Sequence, residues 1–239
     1  MLTATKAIVL SKLRFKDSDL IVNCYTQEKG LVSFLVKGVL KSKKGKFKIA
    51  YFQPLTSLDT IIDFKEKRAL QYFKEVRLDY NYRSIHSNIV KSTIALFLSE
   101  VLNNVFKEEE QNDVLYKFLE TSLILFDEGE VNTNFHLIFL LELSKYLGFY
   151  PDISSIDSPY FDLESGRFQQ SKTSKNFITG TKLTAFKALL GTKFDESNSL
   201  SINSLQKREL LNMILLYFKL HLDGFKHPKS VGVLNQVFN

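Results

Sequence analysis

The chain has 239 residues, 44% hydrophobic and 24% charged, a composition that suits a globular protein with one large core or two smaller ones. Its net charge of +6 is concentrated at one end: residues 1–80 hold 16 Lys and Arg against 8 Asp and Glu, the remainder 16 against 18. No apolar run reaches the ~18 residues that cross a bilayer, nothing at the N-terminus resembles a signal peptide, and a single cysteine, Cys24, excludes an intramolecular disulfide or a cysteine zinc cage, so a cytoplasmic chain without a membrane anchor is expected.

The first 80 residues alternate like strands. Residues 6–13, 20–26, 31–39, 55–64 and 70–78 are rich in β-branched and aromatic side chains. Turn signals separate them: "FKDSD", "QEKG", a lysine-rich loop and "KEK". Gly30 suits a tight hairpin turn, where a positive φ costs glycine little. Pro54 precedes the fourth strand, where a missing N–H is tolerated. Five short strands in fewer than 80 residues predict a small barrel, of which the OB-fold is the best match in size.

Beyond Tyr82 the period changes to that of helices. Residues 84–106 place Ile85, Ile89, Ile94, Leu98, Val101, Leu102 and Val105 at helical spacing. Helices over 111–129 and 132–148 follow, closed by Gly129 and Gly148 in C-cap positions and, for the latter, opened by Asn132 or Thr133. The 132–147 helix is apolar nearly all round, which predicts a central place in a bundle. Residues 148–180 lose the period, two more helices fall near 181–190 and 203–222, and a tail completes the chain. The expected class is therefore α+β with two domains: a barrel over 1–80, then a mainly helical domain over 81–239 with an irregular 148–180 segment.

Side chains for catalysis are hard to find. Gly38 and Gly45-Lys46 are separated by six residues and Phe47 follows, which fails the phosphate-loop pattern on spacing and on the magnesium hydroxyl. The histidines at 86, 136, 221 and 227 are scattered with no His-Glu-x-x-His; a metal shared by His221 and His227 across a glycine bend is the weaker reading, and His136 reads as a core residue. Glu108, Glu109 and Glu110 read as a solvated corner, because an acid–base pair needs a pocket that separates its pKa values. Cys24 reads as a small core hydrophobe. No catalytic constellation, metal site or cofactor is expected.

The unusual stretch is "VKGVLKSKKGKFKIAYFQP", residues 36–54. Lys37, Lys41, Lys43, Lys44, Lys46 and Lys48 lie within twelve residues, and no acid occurs between Glu28 and Asp59. Such a loop either stays solvated or meets a polyanion. Flanking rings favour nucleic acid, since lysines follow phosphates while bases stack on exposed aromatics. The candidate nucleic-acid-binding set is Arg14, Lys16, Lys37, Lys41, Lys43, Lys44, Lys46, Lys48, Phe47 and Tyr51; Phe34, alternating with Val32 and Val36, reads as core. The alternative is a protein-interaction scaffold whose lysine loop grips an acidic partner.

Taken in order, Ser18-Asp19-Leu20, Thr26, Gly30-Leu31, Val36-Lys37-Gly38, "FQPLTSLD" (52–59) and "GFKHPKS" (224–230) resemble the bacterial RecO family of recombination mediators. "LGFYPDISSIDSPYFDLESGRF" (147–168) is similar to the form found in Bacteroidetes members. The resemblance spans nearly the whole chain. It implies an N-terminal OB-fold, a helical domain, and non-enzymatic binding of single- and double-stranded DNA near the nucleoid. It also implies annealing of complementary strands and work with RecR to load RecA onto DNA coated by single-stranded DNA-binding protein, whose acidic C-terminal tail would dock on the helical domain. Many members carry a four-cysteine zinc site in the segment matching 148–180, and this chain has no cysteine there. Packing of Phe149, Tyr150, Tyr160, Phe161 and Phe168 is expected to hold that segment instead.

Overall fold

The computed structural model describes residues 1–41, 47–106, 111–194, 196 and 200–238. It is α+β and forms two compact units, Met1–Glu128 and Gly129–Asn239.

In the first unit, β1 (Leu2–Phe15), β2 (Asp19–Thr26), β3 (Gly30–Val36), β4 (Ser57–Asp63) and β5 (Tyr72–Leu78) make an antiparallel sheet in the order β3-β2-β1-β4-β5. The ladder is not closed. Its outer strands meet at one parallel bridge between Phe34 and Gln71, where Leu35 N–H donates to the Gln71 carbonyl (3.0 Å) and Gln71 N–H donates to that of Ser33 (2.8 Å). One face carries Ala7, Val9, Val22, Cys24, Val32, Phe34, Leu58, Ile62 and Phe73 in a continuous core. Phe34 and Phe73 stack with centroids 3.9 Å apart, and each buried ring contributes roughly 1.5–3 kcal/mol.

The strand-to-helix change falls after Leu78, yet the compact unit runs on to Glu128, and the sheet's second face explains why. Ile8 and Tyr25 are cross-strand partners on the side away from that core, and both are buried. They are covered by α1 (Ile89–Val105), which packs on β1, and by α2 (Asp113–Glu128). Tyr25 stacks on Phe106 (4.3 Å between centroids) and lies 6.2 Å from Tyr116. Asn103 accepts from Ser11 Oγ (3.2 Å) and Asn23 Nδ2 (3.0 Å), and Lys6 bridges Asp79 (3.1 Å) and Glu120 (2.7 Å). Helix α1 begins five residues later than its apolar period suggests, because the Asn88 side chain accepts from Val90 N–H and Lys91 N–H and caps it there.

The connection between β5 and α1 is fixed from forty residues away. The buried Asp127 carboxylate accepts from the N–H groups of Arg83 (2.8 Å), Ser84 (2.7 Å) and Ile85 (2.9 Å). Burial alone would raise its pKa, but these donors outweigh burial and hold it below the usual carboxylate range. Beside it the buried Lys91 Nζ donates to Ser84 Oγ (2.7 Å) and to the Asp127 carbonyl (2.9 Å).

In the second unit α3 (Phe135–Tyr146) is buried around most of its circumference and packs against α5 (Ser204–His221), as its all-round apolar pattern implies. Gly148, just beyond α3, has φ +82° and ends the helix as expected. Asn132, expected to open α3, instead lies before it and accepts from Asn134 N–H (2.8 Å), so that Asn134 becomes the cap residue. The 148–180 segment is not wholly irregular. It contains a small antiparallel sheet, β7-β6-β8, of β6 (Tyr160–Asp162), β7 (Arg167–Gln169) and β8 (Phe177–Ile178), followed by α4 (Gly180–Leu189). The tail adds α6 (Val231–Val237).

Aromatic packing does hold this segment. Phe161 lies 4.8 Å from Phe168 and 4.9 Å from Phe186, and Phe149 meets Phe218 edge-on at 5.0 Å. Tyr150 and Tyr160, by contrast, are only half-buried. Tyr217 Oη donates to the Phe149 carbonyl (2.7 Å) and presses on Gly166, where a Cβ would sit 2.6 Å from that hydroxyl at φ +69°. Buried Asp162 completes the turn, accepting from Thr173 Oγ1, Glu164 N–H (2.8 Å) and Ser165 N–H (3.0 Å).

Candidate nucleic-acid interface

The two basic stretches of the first unit are joined by a hydrogen-bonded corner. Gly38 N–H donates to Asp19 Oδ1 (2.8 Å), and Leu40 N–H donates to the Ser18 carbonyl (2.9 Å). Gly38 sits at φ +69°, which orients its N–H at little conformational cost. Ser18-Asp19-Leu20 and Val36-Lys37-Gly38 therefore meet, so two of the motifs behind the resemblance make one contact. The Asp19 pKa is held low, first by the Gly38 N–H, with Ser18 and the cations Lys16 and Lys37 adding to it. Lys16 and Lys37, 21 positions apart, thus flank one carboxylate. Thr26 and Gly30 close the next hairpin, with Thr26 Oγ1 donating to the Gly30 carbonyl (2.9 Å) and accepting from Lys29 N–H (3.1 Å).

Of the other expected residues, Arg14 is exposed near the end of β1 and donates to the Asp17 carbonyl (3.3 Å). Lys41 and Lys48 are exposed on either side of the loop, whereas Lys43, Lys44 and Lys46 lie outside the described residues, as do Glu108, Glu109 and Glu110. Phe47 and Tyr51 are half-buried against the core cluster, with the Phe47 ring edge-on to Phe73 at 6.3 Å. Part of each ring is thereby occupied in holding residues 47–52 to the sheet. Phe34 and Cys24 are core, as their alternation implies, and burial pushes the Cys24 thiol pKa far up.

Two features escape a reading by periodicity. A bulge between Val9 and Ser11 inserts Leu10 and shifts the phase of β1. Lys12 and Arg14 then align with Val22 and Leu20, on the side of the sheet that carries the core, at its rim. The second is Tyr72, at the start of β5. Lys37 Nζ lies 5.3 Å and Arg68 Cζ 4.7 Å from its ring centroid. Both cations lie within the ~6 Å at which a ring face attracts positive charge. No local signal joins Lys37 to Tyr72, because the parallel bridge between β3 and Gln71 is what brings them together.

Each histidine has an identifiable structural contact. His86 Nε2 lies 2.9 Å from the Pro54 carbonyl, His221 Nε2 3.0 Å from that of Leu163, and His227 Nδ1 3.2 Å from that of Pro228. His136 is buried beside Phe238, and burial, aided by the Lys207 charge, pushes its pKa down to about 3. Among the described residues no group of three or more His, Cys, Asp and Glu side chains could hold a metal ion. Residues 148–180 contain neither cysteine nor histidine. No helix among the described residues is long and apolar enough to cross a membrane.

A basic five-stranded sheet backed by helices, joined in sequence to a second, mainly helical unit, defines a two-unit chain of the α+β class. Family comparison makes this specific. Residues 1–82 match the model of the recombination protein O N terminal, and residues 86–230 match that of the recombination protein O C terminal. The DNA repair protein RecO of Christiangramia forsetii is 42% identical over 238 residues, covering 100% of both chains. That of Flavobacterium psychrophilum is 44% identical over 235 residues (98% of each chain), and that of Bacteroides fragilis 32% over 243 residues (100% of each). The chain belongs to the RecO family.

Proposed function

We propose that this chain is a non-enzymatic DNA-binding mediator of recombination repair in the bacterial cytoplasm, holding single- and double-stranded DNA on the basic end of its sheet. The observation that carries this is the corner at Asp19, where the β1–β2 turn and the lysine loop are fastened together so that Arg14, Lys16, Lys37 and Lys41 belong to one basic region. The bridge between Phe34 and Gln71 supports reading the sheet as an OB-fold barrel, a fold that binds oligonucleotides on such a surface. Lysines here would neutralise phosphates of two strands at once. That removes their mutual repulsion and releases condensed counterions, so annealing needs no cofactor. Filter binding of a single-stranded oligonucleotide at 50 and 200 mM salt tests the reading. Tight binding that weakens steeply with salt is expected; no binding at either concentration would leave an acidic protein as the loop's partner.

Family membership extends the proposal to RecR, to RecA loading and to the acidic tail of single-stranded DNA-binding protein. In the second unit a cleft beside β8 suits such a tail: Ile178, Met213 and Leu216 give its lining apolar surface, and Lys175 and Lys182 there outnumber Glu209. A fluorescent tail peptide is expected to bind the full chain, and the double change Lys175→Glu, Lys182→Glu to weaken it by roughly tenfold or more. Unaltered peptide affinity in that variant would move the receptor elsewhere.

A further inference from the structure

Tyr72 is half-buried at the start of the edge strand β5, with two cations near its ring. Gln71, its neighbour, is buried and fastens the 64–71 turn from both ends of its amide: Nε2 donates to the carbonyls of Lys65 (2.9 Å) and Arg68 (2.6 Å), while Oε1 accepts from Lys65 N–H (2.9 Å) and Arg68 Nε (3.3 Å). The Gln71 backbone is bonded to β3 on the other side. Arg68 is tied further to the side chain and carbonyl of Asp63. The guanidinium beside Tyr72 is therefore held in place, whereas Lys37 is exposed and its four-carbon stem allows the ammonium to swing. Lys37 is also the residue that opens the lysine loop and adjoins the Asp19 corner, so Tyr72 lies where the basic stretch meets the sheet edge.

We propose that Tyr72 is the platform on which an unpaired base of a bound strand stacks. The base takes the place of the Lys37 ammonium over the ring, Lys37 turns to the phosphate alongside, and Arg68 stays to polarise the ring and contact the backbone. This inference rests on the DNA-binding reading and adds a preference to it. A stacked base must be unpaired, so Tyr72 favours single strands, whereas the lysines serve single and double strands alike.

The chain has no tryptophan, so Tyr72→Trp creates a single reporter at the site. Binding is followed separately by the anisotropy of a fluorescein-labelled oligothymidylate and of a labelled duplex. The single strand is expected to quench the tryptophan, and the duplex to bind without doing so. Tyr72→Ala should weaken the single strand by roughly 5- to 150-fold, the range for loss of one stacked base, and leave the duplex within about twofold. Tyr72→Phe, which keeps the ring, should bind like the parent, and Lys37→Ala should weaken both DNAs. Should Tyr72→Trp fail to fold by circular dichroism, the comparison of Tyr72→Ala with Tyr72→Phe decides alone. A strand that binds without altering the emission, or a Tyr72→Ala variant that loses both DNAs equally, overturns the stacking role while leaving DNA binding intact. Absence of binding by either DNA removes the DNA reading and this inference with it.

Discussion

Replacing Lys41, Lys43, Lys44 and Lys46 together by alanine is expected to flatten the salt dependence of DNA binding and to weaken it alike for all sequences. If each of the six lysines from Lys37 to Lys48 touched one phosphate of a single strand, the log–log salt slope would be roughly −4, at about −0.7 per contact. Affinity would then fall roughly 300-fold between 50 and 200 mM salt. These values are upper limits, since a loop seldom engages every lysine together. Removing four contacts takes the slope toward roughly −1.4. Sequence preference should not change, because phosphate contacts carry no base information. Stability should hardly move if these lysines are surface residues, as Lys41 is, since changes there stay within about 0.5 kcal/mol each. An unchanged slope and affinity in the quadruple variant would dismiss the phosphate role and point to a solvated loop or a protein-docking patch.

The largest effect on stability is expected at Asp127. Asp127→Ala leaves the N–H groups of Arg83, Ser84 and Ile85 without their carboxylate and removes the negative charge that favours the ammonium of buried Lys91. Breaking a buried charged network in this way costs about 3–5 kcal/mol, a large share of the 5–15 kcal/mol typical of a folded domain. Urea unfolding of the parent and the variant measures it. Adding Lys91→Met should restore part of the loss, because it removes a buried ammonium that the Asp127 charge no longer offsets. The pH dependence has a definite sign. The Asp127 pKa is depressed in the folded state, so its contribution is present above the unfolded carboxylate range near 4 and fades as pH falls through the folded value. The gap between parent and variant should therefore stay constant from pH 7 to 5 and narrow below pH 4. A loss under about 1 kcal/mol at pH 7 would show that these contacts are replaceable by water.

The amino-acid sequence by itself determined the order and type of the longer elements, because β2 to β4, α1 and α2 each bury a face at a period that is written locally and α3 is apolar nearly all round. It also determined the basic excess of residues 1–80 and the absence of a cysteine zinc site, since both follow from composition alone. The short elements were not legible. The strands β6 to β8 have two or three residues and α6 has seven, too few for a period to register, and they persist only because Phe161, Phe168 and Leu234 find buried neighbours.

What only the tertiary structure decided is everything that depends on two distant segments meeting. The compact unit runs to Glu128 rather than ending with the last strand, because Ile8 and Tyr25 on the second face of the sheet must be covered and α1 and α2 cover them. A single inserted residue in β1 puts Lys12 and Arg14 on the core side of the sheet, a change of phase that no count of alternating residues could reveal. Asp127 reads in sequence as one acid near a helix end, and becomes the anchor of residues 83–85 only when α2 lies beside them. Lys37 and Tyr72 are 35 positions apart and come within 5.3 Å only through the bridge at Gln71. Local patterns record what each segment must bury, whereas a binding surface depends on which exposed side chains the folded backbone sets next to one another.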